Sequence, residues 1–253
     1  MDDARHSPPP DTAALVLIGN EILSGKIRDE NGSYLLRELR LLGVDMRRME
    51  VVPDEEDVIV DAIRRCRRVA AHLFTSGGIG PTHDDVTVPS VAKALGRPLV
   101  HHPELVGMLK RFYGDGLDEF QLRLAEVPEG AELLWGSPKC LRFPAILADN
   151  VLILPGVPSL FTEKFDAVKE RYRASPIALV NIFLDVPESE IAGVLIEATN
   201  RFPGIAIGSY PRFDEADHRV KVTVESRDVR LVESCRDYLV DALGASVLRV
   251  TQG

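Results

Sequence analysis

A glycine-rich stretch between a short apolar segment and a helical segment constrains this chain more than any other feature. Residues 75–85 contain three glycines, small hydroxyl side chains and two adjacent aspartates. Residues 69–74 before it are short and mostly apolar, as in a buried strand, and residues 86–95 after it have the pattern of a helix. Ligands of open α/β sheets bind where a strand ends and the next helix begins. We therefore predict a ligand-binding loop at residues 75–85.

The glycines of this loop suit an anion. Gly77, Gly78 and Gly80 lack Cβ atoms and can adopt positive φ, which lets successive backbone N–H groups converge on a phosphate at the start of a helix. A bare tight turn is the alternative explanation, and glycines alone would favour it. The neighbouring polar side chains therefore decide the interpretation.

Those side chains are a threonine and two acids. Thr82 adds a hydroxyl group, and the adjacent carboxylates of Asp84 and Asp85 would repel a phosphate unless a divalent cation, a proton or a hydroxyl-bearing ligand lay between them. The acids could instead cap the following helix, with Asp84 as the N-cap, and we expect one of the two to do so.

Strand and helix patterns alternate through the first two-thirds of the chain. Two further polar loops follow apolar strands: Asn20 and Glu21 after residues 13–18, and Gly156 after residues 151–154. The alternation predicts an α/β fold with a mainly parallel sheet between two layers of helices. The three loops are then expected along one edge of that sheet.

The chain divides into three predicted segments. Residues 1–12 are polar and proline-rich and are expected to form a disordered leader. Residues 13–175 form the three-layer α/β/α domain, and residues 176–253 follow a β-α-β-β-α-β pattern that predicts a small α+β domain.

The charge and the cysteines exclude several classes of protein. A formal net charge of -9, from 30 basic and 39 acidic residues, argues against a general binder of nucleic acid or anionic membranes. We find no apolar run long enough for a membrane span and no signal peptide, and we expect a cytoplasmic protein. Cys66, Cys140 and Cys235 have no spacing that suits zinc or a disulfide framework.

Four stretches together resemble the MoaB/Mog family of molybdopterin-binding domains, with the N-terminal region of competence/damage-inducible protein A as the nearest branch. The long central motif matches without a gap, and the flanking motifs occur in the order of the family. Two further stretches, residues 128–136 and 207–211, resemble the FAD synthases that carry this domain. The four stretches are residues 19–25, Asp29 with Asn31, residues 75–87 and residues 155–158.

The resemblance implies a function as well as a fold. It implies that the glycine loop and the acids bind the phosphate and pterin of molybdopterin, or a nucleotide diphosphate in this branch. For some members it also implies metal-dependent hydrolysis of ADP-ribose or FAD-like pyrophosphates, and it implies a homo-oligomer. Two departures stand out: the resemblance does not imply the nicotinamide-nucleotide amidase activity of full-length competence/damage-inducible proteins, and residues 135–144 replace a stretch usually rich in asparagine and glycine.

Our leading hypothesis is pyrophosphate hydrolysis in the cleft between the loops. The glycine amides and Thr82 would hold the phosphates of a small ligand. Asp84 and Asp85 would be catalytic and, with Glu21, would carry Mg²⁺, Mn²⁺ or Co²⁺ that offsets phosphate charge and supplies the attacking water.

Other polar residues of the loops complete the predicted binding set, together with Asn20 and Gly156. Asp29 and Asn31 would contact a ribose or a pterin edge, or would instead be a helix cap and its neighbour. Ser159 would cap the helix after Pro158 and offer further N–H groups. The alternative to an enzyme is a molybdopterin or nucleotide binding module without turnover, which needs the same residues.

Overall fold

The computed structural model describes residues 8–136, 141–212 and 217–253. Of the predicted leader, residues 1–7 lie outside the described residues, and Thr12 already begins the first strand. The strands of the described chain are β1 (Thr12–Ile18), β2 (Asp45–Val52), β3 (His72–Ser76), β4 (Leu99–His101), β5 (Glu126–Pro128), β6 (Glu132–Leu134), β7 (Ala145–Ala148), β8 (Val151–Leu154), β9 (Ala178–Leu184), β10 (Ala206–Pro211), β11 (Val220–Ser226) and β12 (Val247–Gln252).

The helices alternate with these strands through the first unit of the chain, Met1–Ala174, and the second unit is Ser175–Gly253. The helices are α1 (Asn20–Leu23), α2 (Asn31–Leu41), α3 (Glu56–Arg67), α4 (Thr87–Leu95), α5 (Pro103–Tyr113), α6 (Glu119–Leu122), α7 (Pro158–Val168), α8 (Glu188–Arg201) and α9 (Val229–Leu243).

A six-stranded sheet in the order β2-β1-β3-β8-β7-β6 organises the first unit. The pairs β1–β2, β1–β3 and β3–β8 are parallel, whereas β7 and β6 extend one edge in antiparallel fashion. β4 and β5 form a separate two-stranded sheet. The predicted α/β fold with a mainly parallel sheet is confirmed, with an antiparallel edge that the alternation did not predict.

Side chains of β1 alternate between two hydrophobic cores. Ala14, Val16 and Ile18 pack with residues of α3, α4 and α5, and the alternate residues of the strand pack with residues of α2 and α7, including Phe161 and Phe165. Burying each of these phenylalanine side chains contributes roughly 1.5–3 kcal/mol to the stability of the fold. Because both faces of the sheet are covered, every residue of β1 is buried, and the first unit has the predicted three layers.

The second unit is an antiparallel sheet in the order β10-β11-β9-β12. Val220, Val222 and Val224 of β11 enter a core that also contains Ile191 of α8 and Leu239 of α9. This order and pairing are those of a β-α-β-β-α-β fold, which confirms the predicted α+β unit.

Cys66 and Cys235 are buried free thiols, and Cys140 lies outside the described residues. Burial raises the pKa of Cys66 to about 12 and that of Cys235 to about 11. Neither thiol is therefore a reactive thiolate at neutral pH. Within the described ranges, no helix has the length and apolar character needed to span a membrane.

Candidate functional site

Three loops meet at one edge of the main sheet. Leu17 of β1 pairs with Ser76 of β3, which pairs with Leu154 of β8, so the three parallel strands end at the same level. The N–H of Gly77 donates to the carbonyl of Leu154 at 3.2 Å. A Cβ built on Gly77 would lie 2.1 Å from the carbonyl oxygen of Ile18, and one built on Gly156 would lie 3.2 Å from Cα of Gly77. The loops are therefore in backbone contact, as predicted.

Thr87 fixes the direction of the glycine loop. Its hydroxyl donates to the carbonyl of Gly77 at 2.8 Å, and its N–H donates to the carbonyl of Gly78 at 3.0 Å. In a trans peptide the C=O of one residue and the N–H of the next point in opposite directions. The N–H groups of Gly78 and Ile79 therefore point away from Thr87, and within the described residues they have no acceptor.

The backbone conformation explains two of the three glycines of the motif. Gly77 and Gly78 have φ of 102° and 60°, values that L side chains rarely adopt. Gly80 does not have a positive φ, so the expectation that all three glycines use positive φ is wrong for this residue. What it needs is space, because a Cβ there would lie 2.5 Å from a carboxylate oxygen of Asp85.

The two aspartates have different environments. The carboxylate of Asp85 accepts hydrogen bonds from the N–H of Thr82 at 2.9 Å and from the Thr82 hydroxyl, so it closes its own loop. The side chain of Asp84 is 62% exposed and lies 3.8 Å from a ring nitrogen of His83. The Thr82 hydroxyl, whose single proton can be donated to only one of the two carboxylates at a time, and the N–H of Asp84 itself hold the pKa of Asp84 below its usual value. Asp84 is thus an ionised carboxylate open to solvent.

Neither aspartate caps the following helix, so that prediction is wrong. α4 begins at Thr87 with Val86 at the N-cap, and none of the side chains that the structure describes caps it. The reason is that Asp85 is used inside the loop and that Thr87 binds the two glycine carbonyls, which delays the first helical turn.

Arg123 supports the acidic loop, residues 82–85, from a distant segment. Its guanidinium donates to the carbonyl of Thr82 at 2.8 Å and to that of Asp85 at 3.3 Å. This residue was missed at the sequence level, because nothing in the local pattern around it shows that it contacts a loop about forty residues earlier.

Asn31 ties two of the loops together. Its side-chain N–H₂ donates to the hydroxyl of Ser76 at 2.9 Å and to the carbonyl of Gly156 at 2.8 Å. Its side-chain oxygen is buried and has no hydrogen-bond partner among the described residues. The carboxylate of Asp29, one residue before the N-cap Glu30, accepts from the N–H of Gly32 at 3.1 Å, in the first turn of α2. Asp29 therefore satisfies a helix N–H group, as the capping alternative expected, although it is not the N-cap itself. Asp29 and Asn31 also line a polar pocket of about 430 Å³.

The first loop contributes Asn20 and Glu21. The N–H of Asn20 donates to Asp54 at 2.8 Å, and the Glu21 carboxylate lies against the backbone of Gly19, where a Cβ would be 2.4 Å from it. Across the residues that the structure describes, no three histidine, cysteine or acidic side chains are grouped so that they could hold a metal ion. Glu21, Asp84 and Asp85 therefore do not form a three-carboxylate cage.

The third loop presents the N-terminus of α7. Val157 is the N-cap, Pro158 is the first helical residue, and no side chain in the described part of the chain caps the helix. Ser159 is the second residue of the helix, so the prediction that it caps α7 is wrong. The first N–H groups of a helix lack intrahelical acceptors and carry a partial positive charge. The N–H groups of Ser159 and Leu160 are therefore available to an anion.

An apolar pocket of about 570 Å³ adjoins the crevice between the three loops. Ile79 of the glycine loop, Pro155 of the third loop and Leu160 of α7 all contribute to its wall. Lys164, one turn further along α7, is 9% exposed, and burial lowers its pKa to about 8. A lysine at a helical position gives no sequence signal for such a pocket. The sequence therefore predicted neither the pocket nor the place of Lys164 in its wall.

Two family matches account for the chain between them. Residues 14–174 match the family described as "Probable molybdopterin binding domain", and residues 176–251 match "FAD synthase, middle domain". The first match covers more than half of the chain. The chain therefore belongs to the MoaB/Mog-type molybdopterin-binding domain family, as the motifs had indicated.

The chain is similar to individual proteins that include FAD synthases and a putative competence-damage inducible protein. The chain is 34% identical over 257 residues to a protein of Aeropyrum pernix, covering 93% of this chain and 96% of that one. It is 29% identical over 268 residues to a "Probable FAD synthase" of Caenorhabditis elegans, covering 95% of this chain but 51% of the relative. The chain thus spans about half the length of that relative.

A solved structure is also similar to this chain. The structure of the protein CinA with unknown function from Thermoplasma acidophilum is 30% identical, with a TM-score of 0.59, and the match covers 64% of this chain and 98% of that chain.

Proposed function

We propose that the crevice between the three loops binds the phosphates of a pterin or nucleotide and supports divalent-metal-dependent hydrolysis of a pyrophosphate bond, as in ADP-ribose or FAD. The observation that carries this proposal is the set of outward N–H groups at Gly78 and Ile79, held by Thr87, beside the uncapped N-terminus of α7. Two sources of N–H donors at one point favour an anion with several oxygens.

The carboxylates define what the chain can do to that anion. Asp84 is ionised and exposed, so it is the side chain best suited to hold a cation next to a phosphate, and Glu21 could add a second oxygen. Mg²⁺ is usually held by one or two carboxylates together with substrate phosphates, so the donor set fits a cation that arrives with its nucleotide. A bound Mg²⁺, Mn²⁺ or Co²⁺ would offset phosphate charge and activate a water.

The remaining residues would position the ligand. Asp85 and Thr82 keep the acidic loop closed, and Gly80 gives that closure its space. Asn31 holds Ser76 and Gly156 together, so its role is to fix the spacing of the loops, and Asn20 holds the first loop through Asp54. Correct spacing of the binding groups is what converts binding into turnover.

A binding module without turnover is the second candidate. The specific observation in its favour is that, over the described part of the chain, no three metal-ligating side chains are grouped. The N–H groups would then hold molybdopterin or a nucleotide without hydrolysing it, and the same amides would carry the affinity. The family resemblance also leads us to propose a homo-oligomer of this phosphate-binding unit, to be measured by light scattering.

The experiment uses FAD and ADP-ribose as substrates. Each is incubated with the protein and Mg²⁺, Mn²⁺ or Co²⁺, and chromatography follows the release of AMP. We expect turnover that falls at least about tenfold in Asp84→Asn, while Asp115→Asn, on an exposed turn elsewhere, acts like the unaltered protein. If Asp84→Asn and Asp85→Asn both turn over as fast as the unaltered protein, the two acids have no role in the mechanism. Binding without AMP release under every metal would favour the module.

A further inference from the structure

We infer that the tip of the hairpin formed by α5 and α6 is a self-association surface, on which Phe112 and Phe120 of one copy of the chain pack against the same residues of a second copy across a two-fold axis. The hairpin tip, residues 110–120, comprises the end of α5, the turn Gly114–Gly116 and the start of α6. This inference rests on the homo-oligomer proposed above and names the face through which its copies meet.

Two phenylalanine rings of the hairpin tip are open to solvent. Phe112, in the last turn of α5, is 81% exposed, and Phe120, in the first turn of α6, is 61% exposed. The rings lie on either side of the turn Gly114–Gly116, whereas the other described phenylalanines are buried or half-buried. Burying an aromatic side chain is among the largest single hydrophobic gains. Two exposed rings at one tip therefore indicate a surface that an assembly covers.

Gly116 points to the same surface. It does not have a positive φ, and a Cβ added to it would meet no atom of the described residues within 4 Å. Within the part of the chain that the structure describes, neither backbone conformation nor space therefore explains a glycine at this position. Glycine allows close approach of another backbone, and a second copy packed on the turn supplies that backbone.

The charges around the rings complement one another across a two-fold axis. Lys110 and Arg111 lie in the last turn of α5, and Glu119 lies in the first turn of α6. All three are exposed, and none of them forms a salt bridge with another described residue. In a two-fold contact, residue i of one copy meets residue j of the other, and j meets i. The basic end of α5 would then face the acidic start of α6 twice in one dimer.

The size of the tip suits a reversible dimer. With the exposures of Phe112 and Phe120, the open ring surface comes to roughly 200–350 Å² per copy, against about 800 Å² per partner in a standard interface. An apolar centre with a charged rim is the usual anatomy of an interface. We therefore expect dissociation constants in the micromolar range. An anionic membrane is a poorer occupant, because it would repel the acidic start of α6.

Charge reversal tests the pairing. Arg111→Glu and Glu119→Arg each place like charges opposite each other twice in the dimer, so each should raise its dissociation constant at least about tenfold. When the two variants are mixed, both contacts join opposite charges again, and association should return to that of the unaltered protein. Sedimentation velocity over a micromolar concentration series gives the constants, and circular dichroism checks that each variant is folded.

The apolar centre is tested separately. Phe112→Ser removes the more exposed ring and should weaken association at least about tenfold, and its exposure means that the fold loses little packing. Leu41→Ser, at a leucine of α2 that is 73% exposed, is the matched control and should leave the dissociation constant unchanged. Vesicles of phosphatidylcholine with phosphatidylserine are the second probe. Vesicle binding that falls in Phe112→Ser would assign the tip to a membrane and overturn the inference.

The remaining outcomes separate this surface from the proposals above. An oligomer that none of the tip variants weakens would overturn the surface while the homo-oligomer stands. Charge variants that associate no better when mixed would overturn the two-fold pairing. A protein that stays monomeric throughout the concentration series would overturn both the surface and the homo-oligomer, whereas hydrolysis of FAD and ADP-ribose is decided by its own assay.

Discussion

Replacing Gly77 by alanine tests the contact between the three loops directly. The residue has φ of 102°, which is outside the conformations that alanine readily adopts. The added Cβ would also lie 2.1 Å from the carbonyl oxygen of Ile18, a backbone atom that cannot rotate away. The substitution therefore has two separate costs.

The two costs can be estimated one at a time. A non-glycine residue in a sparsely populated backbone region costs about 1–3 kcal/mol, and overpacking at a well-packed contact costs about 1–3 kcal/mol more. Gly77→Ala should then lower the free energy of unfolding by roughly 2–6 kcal/mol, a large part of the 5–15 kcal/mol that is typical of a domain.

Gly96→Ala separates the two costs. Gly96 has φ of 67°, and a Cβ there meets no atom of the described residues within 4 Å, so it carries only the backbone cost, about 1–2 kcal/mol. Urea unfolding followed by circular dichroism gives both free energies, and pyrophosphate titration gives the effect on binding. If Gly77→Ala destabilised the protein no more than Gly96→Ala does, Ile18 and Gly77 could not be in contact as described.

Three further predictions concern single side chains. Thr87→Val leaves the Gly77 carbonyl without its buried donor, so it should lower the free energy of unfolding in urea by about 1–3 kcal/mol and weaken pyrophosphate binding. Ser90→Ala should lower it less, because the Val86 carbonyl that the Ser90 hydroxyl contacts keeps a backbone N–H partner. Arg123→Met should lower turnover about tenfold and speed hydrogen exchange in the acidic loop, and unchanged exchange would contradict its role. Burial lowers the pKa of Lys164 from 10.5 to about 8, so between these two pH values the unfolded chain binds more protons than the folded chain and the free energy of unfolding should rise with pH. Relative to Lys164→Met, this rise should be on the order of 3 kcal/mol. Curves of stability against pH that run parallel for the two proteins would contradict the prediction.

Local patterns were enough to predict where the main elements and loops lie. The glycine loop is bounded by the predicted strand and helix, although β3 covers His72–Ser76 and residues 69–74 were expected. Thr75 and Ser76 are polar, yet they belong to the strand because β1 and β8 pair with them on either side. Neighbouring strands in a parallel sheet come from distant segments, and their effect on a strand end is not visible in a local pattern.

The contacts that shape the site come from the same kind of long-range pairing. Arg123 reaches carbonyls of the acidic loop, and Lys164 reaches carbonyls of residues 143–144. In both cases the partner is a backbone oxygen, which every residue has, so no residue type marks it. The role of Thr87 could have been suspected, because it is the last residue of the matched motif, but its two bonds require the turn to be known.

The level ends of β1, β3 and β8 also bear on how the protein is made. The Gly77 amide binds a carbonyl that lies 77 residues later in the chain, at Leu154, and β8 enters the sheet next to β3 only after α4 and α5 have been synthesised. A nascent chain that stops before β8 contains two of the loops but lacks the strand that sets their spacing. Such non-local pairing forms slowly, so ligand capture by this unit should begin only when synthesis has passed the third loop.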